Sequence, residues 1–231
     1  MKLLRETVRS LILQEILKRR TSHVKEQPTG PCAAANSMIQ KGIQTLEKFD
    51  LEIHHYQGMS GMRVIVKLAG ENTKVGILKA TQDPYALEGK CNDGWMVEWS
   101  KIEEDMRGTG LGALMYDVAL ELVGEAGLMA DRNQVSEDAI RNWNYFYSSN
   151  DYIKKPLDTK SGSYTDDPSD DCAAESYRDY DLSSWTHEIY ATGLSKEQFQ
   201  AHPLNNVFVK KDQSQPTITC LQGMRRIRER G

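Results

Sequence analysis

Arg107-Gly108-Thr109-Gly110-Leu111-Gly112 is the stretch from which the fold of this chain can be read. It stands between an apolar, β-prone run, Trp95–Ile102, and an apolar-rich run of helical character, Leu111–Val123. Glycine has no Cβ to hold a ligand away, and the first NH groups of a helix have no partner inside it. A glycine-rich turn that opens a helix is therefore a ready anion site, with phosphate or pyrophosphate as its natural occupant.

Two patterns fit the six residues. Spaced as G-x-G-x-x-A, Gly108, Gly110 and Ala113 resemble the dinucleotide fingerprint, and Asp131 falls about twenty residues on, where a ribose-binding acid belongs. Spaced as Q/R-x-x-G-x-G/A, Arg107, Gly110 and Gly112 resemble the acetyl-CoA motif of the GNAT superfamily of N-acetyltransferases. The surroundings favour the second pattern. A dinucleotide fold needs several more strand-helix units after the turn, whereas here one helix and a short strand at 127–132 lead into an aromatic helix and a polar, acidic tail. Before the turn, residues 62–68 and Lys74–Thr81 read as two strands of an antiparallel hairpin feeding a third, with Gly70-Glu71-Asn72 between them.

That order of elements is similar to the GNAT order, so the resemblance implies an α/β protein of the acyl-CoA N-acyltransferase fold. Its mixed, mostly antiparallel central sheet would be flanked by helices. The helix after residue 132 adds to the likeness. Ser136 is a suitable N-cap, Glu137 and Asp138 put favourable charge in the first turn, and Tyr147 aligns with the tyrosine of the family's N-x-x-A-x-x-x-Y-x-x-x-G-F pattern. Asp151 stands in place of the glycine of that pattern. The runs 128–132, 142–147, 156–158, 170–172 and 203–208 also resemble, in order, the second half of small acetyltransferase-like proteins of bacteriophages.

The resemblance implies acetyl-CoA as co-substrate. Its pyrophosphate would be held by Ile102, Glu103, Arg107, Gly108, Thr109, Gly110, Leu111 and Gly112. Tyr147 is the candidate general acid, since a phenol with a pKa near 10 stays protonated until a thiolate departs; Tyr145 is its substitute should the register slip. Glu98 is the candidate base, with strand alternation setting it on the opposite face from Trp95, Val97 and Trp99. His54 and His55 are weaker candidates, because neighbours on a strand face opposite ways. The expected activity is acetyl transfer to an unidentified primary amine, on a small molecule or a protein, by direct attack. The competing reading is a non-catalytic GNAT-fold binding or assembly protein of phage origin.

Composition agrees with a single domain. The 231 residues are 39% hydrophobic and 27% charged, which is ordinary for a globular chain. A net charge of -4 gives no general reason to bind nucleic acid, and counts against an acetyltransferase toxin acting on aminoacyl-tRNA; Arg225, Arg226, Arg228 and Arg230 read as a solvated basic end. Cys32, Cys91, Cys172 and Cys220 form no C-x-x-C pair, so neither zinc nor a disulfide framework is expected, and no metal is. No apolar run is long enough to span a membrane, which makes the cytoplasm the expected location, the host's if the chain is phage-encoded. A homodimer is left open. Residues 1–25 are expected as an N-terminal amphipathic helix, 26–231 as the GNAT-like domain with a C-terminal extension, 33–49 as a second helix, and 158–171 as an acidic surface loop. Residues 185–191 and Asn206–Lys210 have strand character.

Overall fold

The computed structural model describes Cys32 and residues 37–55, 61–82, 94–131, 135–156 and 201–230. The N-terminal helix, the acidic loop and the strand at 185–191 expected from the sequence lie outside these residues, as do Cys91 and Cys172.

Alternation of core and non-core residues builds the strands. In β1 (Phe49–His55), Phe49, Leu51 and Ile53 join the core, and in β2 (Gly61–Leu68), Met62, Val64 and Val66 do the same. Strands β3 (Lys74–Thr81) and β4 (Trp95–Ile102) continue an antiparallel meander. Helix α1 (Ser37–Thr45) precedes it; residues 33–36 of the helix expected over 33–49 lie outside the described residues, and its far end gives way to a 3-10 turn, Leu46–Lys48, and then to β1, because the apolar period changes to two at Phe49. After β4 come α2 (Leu111–Val123), β5 (Leu128–Ala130), α3 (Glu137–Ser148), β6 (Tyr152–Pro156), β7 (Asn206–Lys210), α4 (Pro216–Gly223) and β8 (Ile227–Arg230).

The protein is thus α/β, with a mixed eight-stranded sheet ordered β6-β7-β5-β4-β3-β2-β1-β8. Among the described residues, only β4–β5 and β1–β8 are parallel pairs. The hairpin, the strand before the glycine turn and the strand Asn206–Lys210 all stand where the sequence places them. The basic C-terminus does not. It forms β8 on the edge of the sheet beside β1, and Arg226 reaches Asp50 at 3.5 Å. Strand formation there needs β1 as a template, which no local pattern reveals.

Helix α2 is buried along nearly its whole length against one face of the sheet, with Leu111, Leu114, Met115, Tyr116, Val118 and Leu120 in the core. Helix α3 joins it through aromatic contacts: Trp143 meets Tyr116 edge-on at 5.3 Å and stacks with Phe208 of β7 at 5.7 Å. Ser136 caps α3 as expected, its hydroxyl accepting from the Ala139 NH at 3.3 Å. On the far side of α2, Asp117 and Glu121 meet Lys210 of β7. The ammonium lies 2.7 Å from Asp117 Oδ2 and also donates to Glu121, while the Tyr152 hydroxyl donates to Asp117 Oδ1 at 3.0 Å. Glu121 in turn accepts the Thr217 and Ile218 NH groups at 2.9 and 2.8 Å, capping the start of α4. Contrary to the sequence expectation, Cys32 and Cys220 form a disulfide, joining positions 188 residues apart with Cα atoms 5.1 Å from each other. Pairing across that separation depends on the fold and has no spacing signature.

Among the described residues no helix is long and apolar enough to cross a membrane.

Candidate functional site

The glycine turn is held by what surrounds it. Gly108 and Gly110 have φ of 71° and 88°, the left-handed region that other residues enter only with strain. A Cβ on Gly110 would come within 2.6 Å of the Gly42 nitrogen and 2.8 Å of the Met38 carbonyl, so helix α1 fills that side of the turn. Gly42 meets the same limit from the other direction, 2.6 Å from the Gly110 carbonyl oxygen. The Thr45 hydroxyl donates to the Thr109 carbonyl at 2.9 Å, and the Thr109 hydroxyl donates to Met106 at 2.6 Å. Gly42 and Thr45 were missed in the sequence; a glycine inside a helical run, a usual mark of close approach, is the signal that could have found them.

The first intrahelical bond of α2 runs from the Leu114 NH to the Gly110 carbonyl at 3.0 Å, and no side chain caps the helix. The NH groups of Leu111, Gly112 and Ala113 therefore point out over the turn, carrying the positive end of the helix dipole. Gly112 differs from Gly110. Its φ is not positive, and an added Cβ would meet only Ile102 Cγ1, at 3.8 Å. Packing does not require glycine there; a ligand lying close against the backbone would.

Strand β4 pairs with β5 only over Trp95, Val97 and the residue between them. Beyond Val97 it runs on to Ile102 while β5 ends at Ala130, so that stretch of β4, which leads to the turn, has no partner in β5. A bulge follows the last paired residue. Lys79 pairs with Trp99 but Ala80 with Val97, which makes Glu98 the extra residue. The bulge also corrects the alternation expected for this strand: Val97 is buried, whereas Trp99 is 45% exposed and lies on the other face. Glu98, half-buried, forms an ion pair with Lys79. On the core face, the Ser100 hydroxyl and the Tyr116 phenol are hydrogen-bonded at 3.0 Å, and burial pushes the pKa of Tyr116 up to about 12 against the weaker lowering effect of that bond.

Ile102, Glu103 and Arg107 to Gly112 are brought together at one end of β4 by a single 3-10 turn, Glu104–Met106, and the Glu103 NH is held by the Val75 carbonyl at 2.9 Å. Arg107 contacts the first turn of α3 through Asp138 at 3.4 Å. Tyr147 lies nine residues further along α3, about 13.5 Å up the axis and about two and a half turns round it, so it faces inward where Asp138 faces out. It is half-buried against the core, and Lys154 of β6 lies 4.8 Å from its ring centroid. Lys154 pairs with the core residue Phe208, whereas Lys79 shares a row with Arg63 and His54 on the opposite face. Tyr147 and Glu98 consequently approach the sheet from opposite sides. Tyr145 is turned toward Tyr152; burial, then the charges of Asp151 and Asp117, push its pKa up to about 12, making it a poorer proton donor than an ordinary phenol. His54 is bonded to Glu52 at 3.1 Å, far from the turn at the β1 side of the sheet.

Among the described residues no group of three or more His, Cys, Asp or Glu side chains is placed to hold a metal ion. Comparison with protein-family models, curated proteins and solved structures returns no match to this chain.

Proposed function

We propose that the chain is an acetyl-CoA-dependent N-acetyltransferase of GNAT fold that transfers an acetyl group to a primary amine by direct attack. Gly112 is the observation that carries the reading. Glycine is a poorer helix former than alanine, and neither dihedral angles nor neighbours call for one at Gly112, the second residue of α2. Its presence beside three outward NH groups is accounted for by a pyrophosphate seated against the backbone. The order of the strands supports the same reading, since β4 and β5 are parallel and the glycine turn follows the end of β4.

Ile102, Glu103 and Arg107 to Gly112 would hold the pyrophosphate, and the pantetheine arm would lie along β4 where β5 has ended. The bound thioester supplies an activated acetyl group. From one face of the sheet, Glu98 takes the proton of the attacking ammonium through water; from the other, Tyr147 gives a proton to the departing sulfur. The acceptor is a small-molecule or protein amine.

Calorimetric titration with acetyl-CoA, CoA and NADH tests the cofactor. Binding of acetyl-CoA or CoA is expected; binding of NADH alone would sink both fold and function. Gly112→Asp should abolish CoA binding, because it adds bulk and negative charge at the phosphate seat. With an acceptor identified by mass spectrometry, Tyr147→Phe should lower turnover by roughly ten- to a few thousand-fold and leave acetyl-CoA affinity nearly unchanged. A non-catalytic binding protein of phage origin is favoured by one observation, that lysines already engage both Glu98 and Tyr147. CoA binding without acetylation of any amine would select it.

A further inference from the structure

Helix α1 fills one side of the glycine turn but is itself a short element. Its nine residues are too few to persist as a helix without packing, so its seat depends on what its ends are tied to. Downstream it runs through the 3-10 turn Leu46–Lys48 into β1. Upstream, five positions before Ser37, stands Cys32, bonded to Cys220 of α4. The two ties differ in kind: one is the sheet, the other a bond that thiols can break. The half of α1 nearer the disulfide is also the half against the turn, since the Met38 carbonyl and the Gly42 nitrogen are the atoms a Cβ on Gly110 would strike, at 2.8 and 2.6 Å.

The α4 side is held without the disulfide. Glu121 accepts the Thr217 and Ile218 NH groups at its start, the Glu121 carbonyl accepts from Gln215 Nε2 at 3.1 Å, and beyond its end the Leu51 NH donates to the Arg226 carbonyl at 2.7 Å, leading into β8. Glu121 belongs to α2, the helix that the glycine turn opens, so the disulfide closes a circuit from the turn through α1, α4 and α2 back to the turn. Cys220 is buried and Cys32 half-buried, which makes Cys32 the sulfur a reductant reaches first. We propose that this disulfide is a redox latch on the glycine turn: closed, it seats α1 against Gly110; opened, it lets the near half of α1 lift and the turn loosen, weakening the anion seat. A dithiol supplies the two electrons. Its thiolate attacks Cys32 Sγ, Cys220 departs as a thiolate and takes up a proton, and the second thiol of the reductant displaces Cys32, leaving two protein thiols and an oxidised dithiol. Affinity then falls in proportion to the fraction of molecules whose turn is still seated. The ligand half of the inference rests on the acetyl-CoA reading and adds its control; the release of α1 does not depend on what binds.

Peptide mapping of the full chain without reductant should recover Cys32 joined to Cys220. Hydrogen exchange with and without dithiothreitol then reads the latch. On reduction, peptides covering 37–45 and 107–114 should exchange about tenfold faster, while those covering 137–148 and 206–210 stay within about twofold. Oxidised glutathione should restore the slow rates. Cys32→Ser should exchange like the reduced protein and no longer respond to dithiothreitol, which excludes Cys91 and Cys172 as the source; the wild-type comparison decides by itself should that variant not fold. Calorimetric titration with CoA should show affinity at least about threefold weaker after reduction. Absence of the bond, unchanged exchange at 37–45 and 107–114, or equal acceleration of all four peptides, the mark of a merely global loss of stability, would overturn the latch. Release of α1 with CoA affinity unchanged would overturn its control of the ligand and leave the acetyl-CoA reading standing. Failure of both redox forms to bind CoA would overturn that reading together with the ligand half, and the exchange rates would still decide the release of α1.

Discussion

The two ends of helix α2 are opposites. At the start, Gly110 precedes three NH groups that no side chain caps. Further along, Asp117 and Glu121 are buried and satisfied by Lys210, Thr217, Tyr152 and the NH groups of α4. One end keeps hydrogen-bonding capacity in hand and the other has consumed it. The contrast teaches where stability and function reside on one element: a buried charge network rigidifies only when every member has a partner, while a ligand site needs members that have none of their own. The closed end anchors β7 and α4 to the helix whose open end carries the glycine turn.

Breaking the closed end should have the largest effect. Lys210→Met leaves Asp117 and Glu121 buried side by side without their cation, and should cost about 3–5 kcal/mol in urea denaturation. A loss below about 1 kcal/mol would show that the cluster does not act as a unit. Alkali should attack the same end. Burial by itself would pull the Lys210 pKa down, but the charges and hydrogen bonds of Asp117 and Glu121 together outweigh it and hold it above the ordinary 10.5. The folded ammonium therefore keeps its proton more tightly than the unfolded one. Its contribution is complete below pH 10.5 and is lost as pH rises through the folded value. Tyr116, pushed up from 10.0 to about 12, acts in the same direction, so melting temperature should fall steeply between about pH 10 and 12.

Closing the open end should cost less and report differently. Gly110→Ala forces a side chain into the left-handed region and against the backbone of α1, and should lower stability by about 2 kcal/mol. The smallest expected change is the most informative. Gly112→Ala has room for its methyl group and should raise stability by less than about 1 kcal/mol, the full penalty being that of a helix interior, while weakening CoA binding in the same preparation. Opposite signs in the two measurements would sharpen the division between the ends. Parallel losses would mean that Gly112 is needed for packing after all.

Much of the fold was legible because it is written locally. Alternation in residues 62–68 and Lys74–Thr81 announced the hairpin, and Ser136 announced the start of α3, since each depends on residues within a few positions of one another. Glu98 was legible as a polar residue in a strand. Its orientation was not, because the bulge that places it arises from the register between β3 and β4. Gly42 looked like an ordinary helical glycine until α1 was packed against the turn. The contact of Asp138 with Arg107 needed the approach of α3 to the turn, which no local spacing encodes.

By itself, the sequence determined a glycine turn between a strand and a helix, with the unpartnered NH groups of a helix start, because helix ends answer to adjacent residues. Only the tertiary structure decided which distant groups meet. Lys210 finds Asp117 93 positions away, Cys32 finds Cys220 across 188, and the arginine-rich end becomes a strand beside β1. The physical reason is that such contacts are selected by burial and by the satisfaction of polar groups over the whole folded chain, and these are set only when the sheet order is complete.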